Sequence, residues 1–306
     1  MNIVGHRKIF YAVSVLLVAA SLGALLRWGL ALGIDFTGGS LLEVEFVGER
    51  PELVEIESRL APLNAGLALG EVRLQPSGER GLLLRLRHLD EPTHRAILEA
   101  LDRAEGAARG PSLTEKRFDT IGPTIGRELK TRSILAVVLV ILLIVAYIAW
   151  AFRRVSRPMA SWKYGAATIV ALIHDVAIPA GFFAVGGQFW GFEVDTLFVT
   201  AVLTILGFSV HDTIVVFDRI RERLNRGGGE GDFGATVNRS VNETIGRSIN
   251  TSLTVVLAIA AVYLFGGATT QVFSLTLIIG IIAGTYSSIF IASPLLVTWH
   301  QWQTKK

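Results

Sequence analysis

The 306-residue sequence contains no cysteine, and only 18% of its residues are charged. Without cysteine, a secreted part of the chain cannot be stapled by disulfides, and thiolate metal sites and thiol nucleophiles are excluded. The low charge accompanies 51% hydrophobic residues and a mean hydropathy of +0.50. Such a composition is too apolar for an ordinary soluble domain, so we expect a bilayer to surround much of the chain.

Several catalytic patterns are also missing. There is no HExxH spacing and no Ser-base or Cys-base arrangement, which disfavours a metal site or an intramembrane hydrolase built on the two His-Asp pairs described below. The glycine-rich residues 227–231 lack the Gly-Lys-Ser/Thr ending of a phosphate-binding loop and follow no strand. We therefore expect no metal and no cofactor, and any energy source must come from elsewhere.

Six apolar segments are long enough to cross a bilayer, which requires roughly 20 residues. They cover residues 9–32, 133–152, 164–185, 196–217, 249–265 and 272–299. The alternative for the first segment is a cleaved signal peptide, because Ala19, Ala20, Ser21 and Gly23 are small. It is disfavoured because the apolar stretch continues past them. The sequence thus predicts a polytopic α-helical membrane protein.

Outside residues 33–131, the lysines and arginines of the connecting loops and chain ends follow an alternating pattern. They lie before the first segment, between the second and third, between the fourth and fifth, and at the chain end: Arg7 and Lys8; Arg153, Arg154, Arg157 and Lys163; Arg219, Arg221, Arg223, Arg226, Arg239 and Arg247; Lys305 and Lys306. The short loops 186–195 and 266–271 contain neither residue type. This positive-inside pattern predicts that both termini are cytoplasmic. The basic pI therefore reflects topology and gives no reason to expect nucleic acid.

The same pattern divides the chain into three parts. Residues 1–32 form the N-terminus and first span, residues 33–131 an extracytoplasmic, periplasmic domain, and residues 132–306 a bundle of five spans with a cytoplasmic loop at about 218–247. We expect the loop to fix topology, or alternatively to contact a partner at the membrane surface. Its first residues continue the fourth helix, since Ile220 and Leu224 share one face.

The outer domain has the pattern of a mixed sheet and helix fold. Residues 40–47, 71–75 and 82–86 alternate as half-buried strands do, and residues 113–118 form a weaker fourth strand. Pro51 opens one helix, Asp90 caps a second, and residues 106–111 break that second helix. The order βαββαβ predicts a ferredoxin-like α+β domain, a fold that by itself names no function.

Ionisable residues deep in apolar segments are costly, so each suggests a functional site. His174 and Asp175 lie in the third segment, His211 and Asp212 in the fourth, and Arg247 at the start of the fifth. A carboxylate whose distance from an arginine varies can act as a proton switch. The alternative is that these groups form static hydrogen bonds that hold the helices together.

Two motifs resemble the SecD/SecF family of the bacterial Sec translocon, and its SecF branch in particular. One is Gly33-Ile34-Asp35-Phe36-Thr37-Gly38-Gly39, directly after the first span. The other runs from Gly207 to Glu222 and includes His211-Asp212-Thr213, with a following match over Asn238 to Ser252. The resemblance covers nearly the whole chain. It implies a member of the RND superfamily that is not an enzyme and resides in the cell inner membrane.

The resemblance also implies partners and roles. A SecF-type chain pairs with SecD beside the SecYEG channel, usually with YajC, and uses protons to promote export of a translocating preprotein. The resemblance matches Asp212 and Arg247 to an intramembrane Asp and Arg of the family's proton relay, with a second Asp expected from SecD. Asp175 and His211, which stands where Asn is more usual, are further relay candidates because they are ionisable and lie in apolar spans. We further expect a hinge between the outer domain and the first two spans, at the signature residues and the start of the second span: Gly33, Asp35, Phe36, Thr37, Gly38, Gly39, Gly122, Pro123 and Gly126. The rival hypotheses are a passive scaffold of the channel and a small-molecule or lipid exporter.

Overall fold

The computed structural model describes residues 1–67, 69–102, 113–153, 159–226 and 232–304. The chain forms two compact units, one made of Met1–Ala31 with Leu135–Lys306 and the other of Leu32–Ile134. In chain order, the described elements are α1 (Arg7–Trp28), α2 (Ile34–Thr37), β1 (Gly39–Phe46), α3 (Leu53–Leu67), β2 (Arg73–Ser77), β3 (Gly81–Leu86), α4 (Glu91–Asp102), β4 (Leu113–Ile121), α5 (Pro123–Ala151), α6 (Ser161–Phe189), α7 (Thr196–Arg226), α8 (Phe233–Phe265), α9 (Ala268–Ser287), a π-helical segment (Ser288–Ala292) and α10 (Ser293–Thr304).

Six helices of the described chain are long and apolar enough to cross a membrane, which confirms the predicted polytopic class. They are α1, α5, α6, α7, α8 and the continuous rod from α9 through the π-helical segment to α10. The apolar windows of α6, α7 and the final rod are 56%, 50% and 61% buried, whereas those of α1, α5 and α8 are 11%, 6% and 11% buried. The three buried helices therefore form the centre, and the other three present faces to lipid or to a partner.

The second unit is a four-stranded antiparallel sheet in the order β2-β3-β1-β4. Alternate residues of β1 and β3 pack with α3 and α4 around one core, which includes Leu42, Phe46, Leu84, Ile56 and Ile97. Asp90 caps α4 as predicted, since its Oδ1 accepts a hydrogen bond from the Thr93 backbone N–H at 3.1 Å. The predicted α+β fold is confirmed. The predicted helix break at 106–111 lies outside the described residues.

The segment 218–247, predicted as a cytoplasmic loop whose first residues continue the fourth helix, is mostly helical in the structure. Helix α7 continues to Arg226, and α8 begins at Phe233. The Asp232 carboxylate starts α8 by accepting hydrogen bonds from two backbone N–H groups. Both helices keep an apolar face beyond the hydropathic segment, because Ile220 and Val241 are fully buried. A hydropathy threshold ends at the first charged residues and misses this amphipathic extension.

Candidate functional site

The centre of the bundle holds a polar cluster around Asp175, which is 0% exposed. Its Oδ1 lies 2.9 Å from His174 Nδ1. Its Oδ2 accepts hydrogen bonds from Ser209 Oγ at 2.5 Å and from Ser287 Oγ at 2.7 Å. One carboxylate thereby joins α6, α7 and α9. Because each oxygen has a partner, the cost of placing Asp175 in a low-dielectric interior is offset by a fixed set of hydrogen bonds.

Asp212 has different surroundings, although it lies on α7 only one turn from Ser209. It is 6% exposed, and its carboxyl lies beside the hydroxyls of Ser248 and Ser288. Its Oδ2 is buried and has no hydrogen-bond partner within the described part of the chain. A buried carboxyl oxygen without a donor is better suited to carry a proton than one with two donors. The two intramembrane aspartates are therefore not equivalent.

The structure does not bring all predicted relay residues together. His211 and Arg247 are both exposed at the bundle surface, and Arg247 makes no ion pair with any described residue. Its chain neighbour Ser248 is buried beside Asp212, so Arg247 starts from the same turn of α8 and projects outward. The exposed His211 imidazole and Arg247 guanidinium, together called the polar patch below, are polar groups that lipid tails cannot solvate.

Sequence analysis missed the hydroxyl groups that organise this cluster. Ser288 Oγ lies 2.8 Å from Thr213 Oγ1, and Ser293 Oγ donates to the Ser288 carbonyl at 3.0 Å. Ser288 opens the π-helical segment, a backbone irregularity often found at functional sites. The available signal was three serines, Ser287, Ser288 and Ser293, in a largely apolar span that also contains other hydroxyl residues. It is weak because serines in membrane helices commonly bond only to their own helix.

The predicted hinge glycines form a close-packed junction inside the Leu32–Ile134 unit. Phe36 is buried, and Gly38 has φ +74. A Cβ at Gly38 would lie 2.7 Å from Pro123 Cα, and one at Gly126 would lie 2.8 Å from the Gly38 backbone nitrogen. The backbone after α1 thus touches the start of α5, and only glycine fits there. The remaining positions, Gly33, Asp35, Thr37, Gly39 and Gly122, flank this contact, and their hinge role remains a prediction.

No group of three or more histidine, aspartate or glutamate side chains that could hold a metal ion occurs among the described residues. The arrangement instead offers two buried carboxylates, an imidazole and a chain of hydroxyls, which are groups that bind and release protons or fix helices against one another. The fold and this cluster define a six-span helical membrane protein with intramembrane acidic groups and one small α+β domain.

Comparison with known proteins identifies the family. Residues 103–302 match the family model described as protein export membrane protein SecD/SecF, C-terminal, and residues 29–48 match the SecD/SecF GG motif. The chain belongs to the SecD/SecF family of protein export membrane proteins. It is 45% identical to the protein translocase subunit SecF of Thermobaculum terrenum and 39% identical to that of Anaerolinea thermophila, in each case over 98% of this chain and 94% of the relative.

A solved structure extends the similarity to three dimensions. The crystal structure of SecDF from Thermus thermophilus, described as a translocon-associated membrane protein, matches with a TM-score of 0.79 and 32% identity. A second SecDF structure, in a super-membrane-facing form, matches with a TM-score of 0.69 and 34% identity. In both cases this chain spans 39% of the longer chain. The matches cover 98% and 100% of this chain, respectively.

Proposed function

We propose that this chain performs the role of a SecF subunit: together with SecD, it uses the proton-motive force to promote late steps of protein export on the outer side of the inner membrane. Its action is transport and not catalysis of a covalent reaction. The observation that carries the proposal is Asp212, buried inside the bundle with one oxygen unpartnered, beside an outward polar patch of His211 and Arg247. The family membership supplies the biological setting.

The polar patch supports a heteromeric assembly. His211 and Arg247 are exposed on helices whose neighbouring surface is apolar, with Leu253 51% and Leu257 61% exposed on α8. A partner helix with polar groups would satisfy the patch, and lipid would not. We assign this partner as SecD, with SecYEG, YajC and the translocating preprotein as further components. We propose cytoplasmic termini and a periplasmic Leu32–Ile134 unit, as the loop charges predict.

The proposed cycle separates the roles of the two aspartates. Asp175 stays fixed by its three hydrogen-bond partners and holds α6, α7 and α9 together. Asp212 gains and loses the proton, which alters its attraction for the guanidinium of Arg247 and shifts α7 against α8. One proton moving through 100 mV supplies about 2.3 kcal/mol, enough to change a two-state equilibrium roughly fifty-fold. The motion then reaches the outer unit through α1, α5 and the glycine junction.

The test measures preprotein export into vesicles that contain SecD and this chain, with and without an imposed proton gradient. Asp212→Asn keeps the size of the side chain but cannot titrate, so the gradient should stimulate the wild type and not the variant. The matched control is Asp218→Asn on the same helix, where the carboxylate is 54% exposed and pairs with Arg221. That variant should respond as the wild type does. Equal stimulation of all three proteins would refute a carrier role for Asp212.

A passive scaffold of the channel is the second candidate function. The three hydrogen bonds to Asp175 favour it, because they show one intramembrane carboxylate that holds helices together. A scaffold predicts that export rises when the chain is present but that the rise does not depend on the gradient. The same vesicle assay, with unaltered SecD in every sample, separates these cases. Only a proton-driven subunit loses its gradient dependence when Asp212 is replaced.

A further inference from the structure

A groove on the surface of the helix bundle, separate from the polar patch, has the properties of a ligand site. Its volume is about 520 Å³, and it lies between α1, α6, the π-helical segment and α10. This is within the range of small-molecule pockets, roughly 300 to 1,000 Å³. The walls are apolar side chains, among them Val18, Leu22, Ile173 and Leu295. Leu22 is 49% and Ile173 61% exposed, so the groove opens toward the lipid.

His174 forms part of the groove and is only 3% exposed. Its Nδ1 faces the Asp175 carboxylate at 2.9 Å, while its Nε2 is buried and has no hydrogen-bond partner among the described residues. In a neutral ring, the nitrogen facing a carboxylate carries the hydrogen, which leaves Nε2 as an acceptor. The two other polar side chains of the groove are already paired, Tyr11 with Thr298 and Ser14 with Tyr286.

We infer that this groove binds a lipid alcohol from the bilayer, with its alkyl chain along the apolar walls and its hydroxyl donating to His174 Nε2. A charged or strongly hydrated ligand would lose its hydration without gaining partners. A neutral hydroxyl-bearing chain satisfies both the walls and the single unpaired acceptor. Because Nε2 is buried, the hydroxyl must part the side chains that cover the ring.

The groove is also placed to influence the polar cluster. His174 is bonded through its other nitrogen to Asp175, which joins α6 to Ser209 and Ser287. The opposite wall is α1, which packs closely on α6: a Cβ at Gly181 would lie 2.5 Å from Ser21 Cα. An occupant of the groove therefore contacts both α1 and His174, the hydrogen-bond partner of the central carboxylate.

The experiment uses the full chain in lipid nanodiscs with two photoreactive probes, octadecanol carrying a mid-chain diazirine and its methyl ether, which lacks the hydroxyl donor. Crosslinked peptides are located by mass spectrometry. We expect the alcohol to label α1 and α6 around the groove about fivefold more than the ether does, the order expected for one hydrogen bond. Labelling of the lipid-facing helix α5 should be equal for both probes and serves as the internal control.

Two variants complete the design. His174→Phe keeps a ring but removes Nε2, so the preference for the alcohol should disappear. Ala19→Phe places a larger side chain in the groove from an exposed position, leaves the polar cluster intact and should reduce labelling by both probes. Equal labelling by alcohol and ether, or a preference that survives both substitutions, would overturn the assignment and identify ordinary boundary lipid. The readout needs neither SecD nor a proton gradient, so its outcome is independent of the proposed export role.

Discussion

The two hydroxyls that hold Asp175 provide a quantitative test of the polar cluster. Ser209 and Ser287 approach the same oxygen, Asp175 Oδ2, from α7 and α9, and both serines are 1% exposed or less. Ser209→Ala or Ser287→Ala removes one donor and leaves the other. Hydrogen bonds between membrane helices contribute on average about 0.6 kcal/mol and at most about 1.7. We therefore expect each single substitution to lower the free energy of unfolding by about 1 kcal/mol.

The double substitution should lower the free energy of unfolding by more than the sum of the two single substitutions. It leaves Asp175 Oδ2 buried without either donor, and an unsatisfied buried acceptor costs roughly 1 to 3 kcal/mol, more when it is charged. We expect a total of about 3 kcal/mol, which implies an interaction energy of about 1 kcal/mol in the double-mutant cycle. The measurement is reversible unfolding of the full chain in bicelles, with all four proteins compared in the same lipid.

Ser274 supplies the matched control for this cycle. It lies on α9 with Ser287 and is 1% exposed, but its Oγ has no partner among the described residues. Ser274→Ala should leave stability unchanged or raise it slightly, because it removes an unpaired polar atom. If the Asp175 serines behave like Ser274, or if their effects simply add, the carboxylate does not organise three helices and the reasoning fails.

Three further predictions concern other parts of the chain. Gly181→Ala brings a Cβ within 2.5 Å of Ser21 Cα, so it should force α1 from α6 and lower stability by about 1 to 3 kcal/mol in the same unfolding assay. Gly126→Ala places a Cβ 2.8 Å from the Gly38 backbone nitrogen and should speed hydrogen exchange throughout the Leu32–Ile134 unit. An unchanged exchange rate would show that the junction is loose. Hydrogen bonds from Thr93 hold the pKa of Asp90 below its usual 3.8. The Leu32–Ile134 unit should therefore lose stability as the pH falls below about 4. The Asp90→Ala variant should be less stable at pH 7, and its stability should change less with pH in this acid range. If the wild type and the variant lost stability in parallel, the capping role of Asp90 would be contradicted.

The sequence predicted the fold because its main determinants are local. Hydropathy located the six spans, and strict alternation located β1 and β3, since half-buried strands must alternate. The helix ends were less predictable. Helix α5 begins at Pro123, ten residues before the apolar segment starts, because the polar first turns contribute little hydropathy. The π-helical segment was not predictable, because nothing in residues 288–292 distinguishes it from an ordinary apolar helix.

The candidate site was only half predictable, for a different reason. A charged residue in an apolar span is visible at once, so Asp175 and Asp212 were found. Their surroundings depend on helices far apart in sequence: Ser209 and Ser287 meet Asp175 across separations of 34 and 112 residues. The pairing of Asp212 with Arg247 was inferred from the chemistry of the two side chains and from the resemblance, and the structure leaves the arginine exposed. Long-range contacts of this kind leave no periodic signal in a single sequence.

The contrast between the two aspartates argues for a division of labour within one bundle. A group that must change its charge during a cycle cannot also be the fixed point of the packing, because every protonation would disturb the helices it joins. Asp175, with a partner on each oxygen, is suited to the fixed role, and Asp212, with an unpartnered oxygen beside an open polar surface, to the changing one. If so, Asp175→Asn should reduce the folded amount of the protein and leave the gradient response of the remainder intact. If Asp175→Asn instead folded fully and lost the gradient response, Asp175 would be the proton carrier and Asp212 the fixed group.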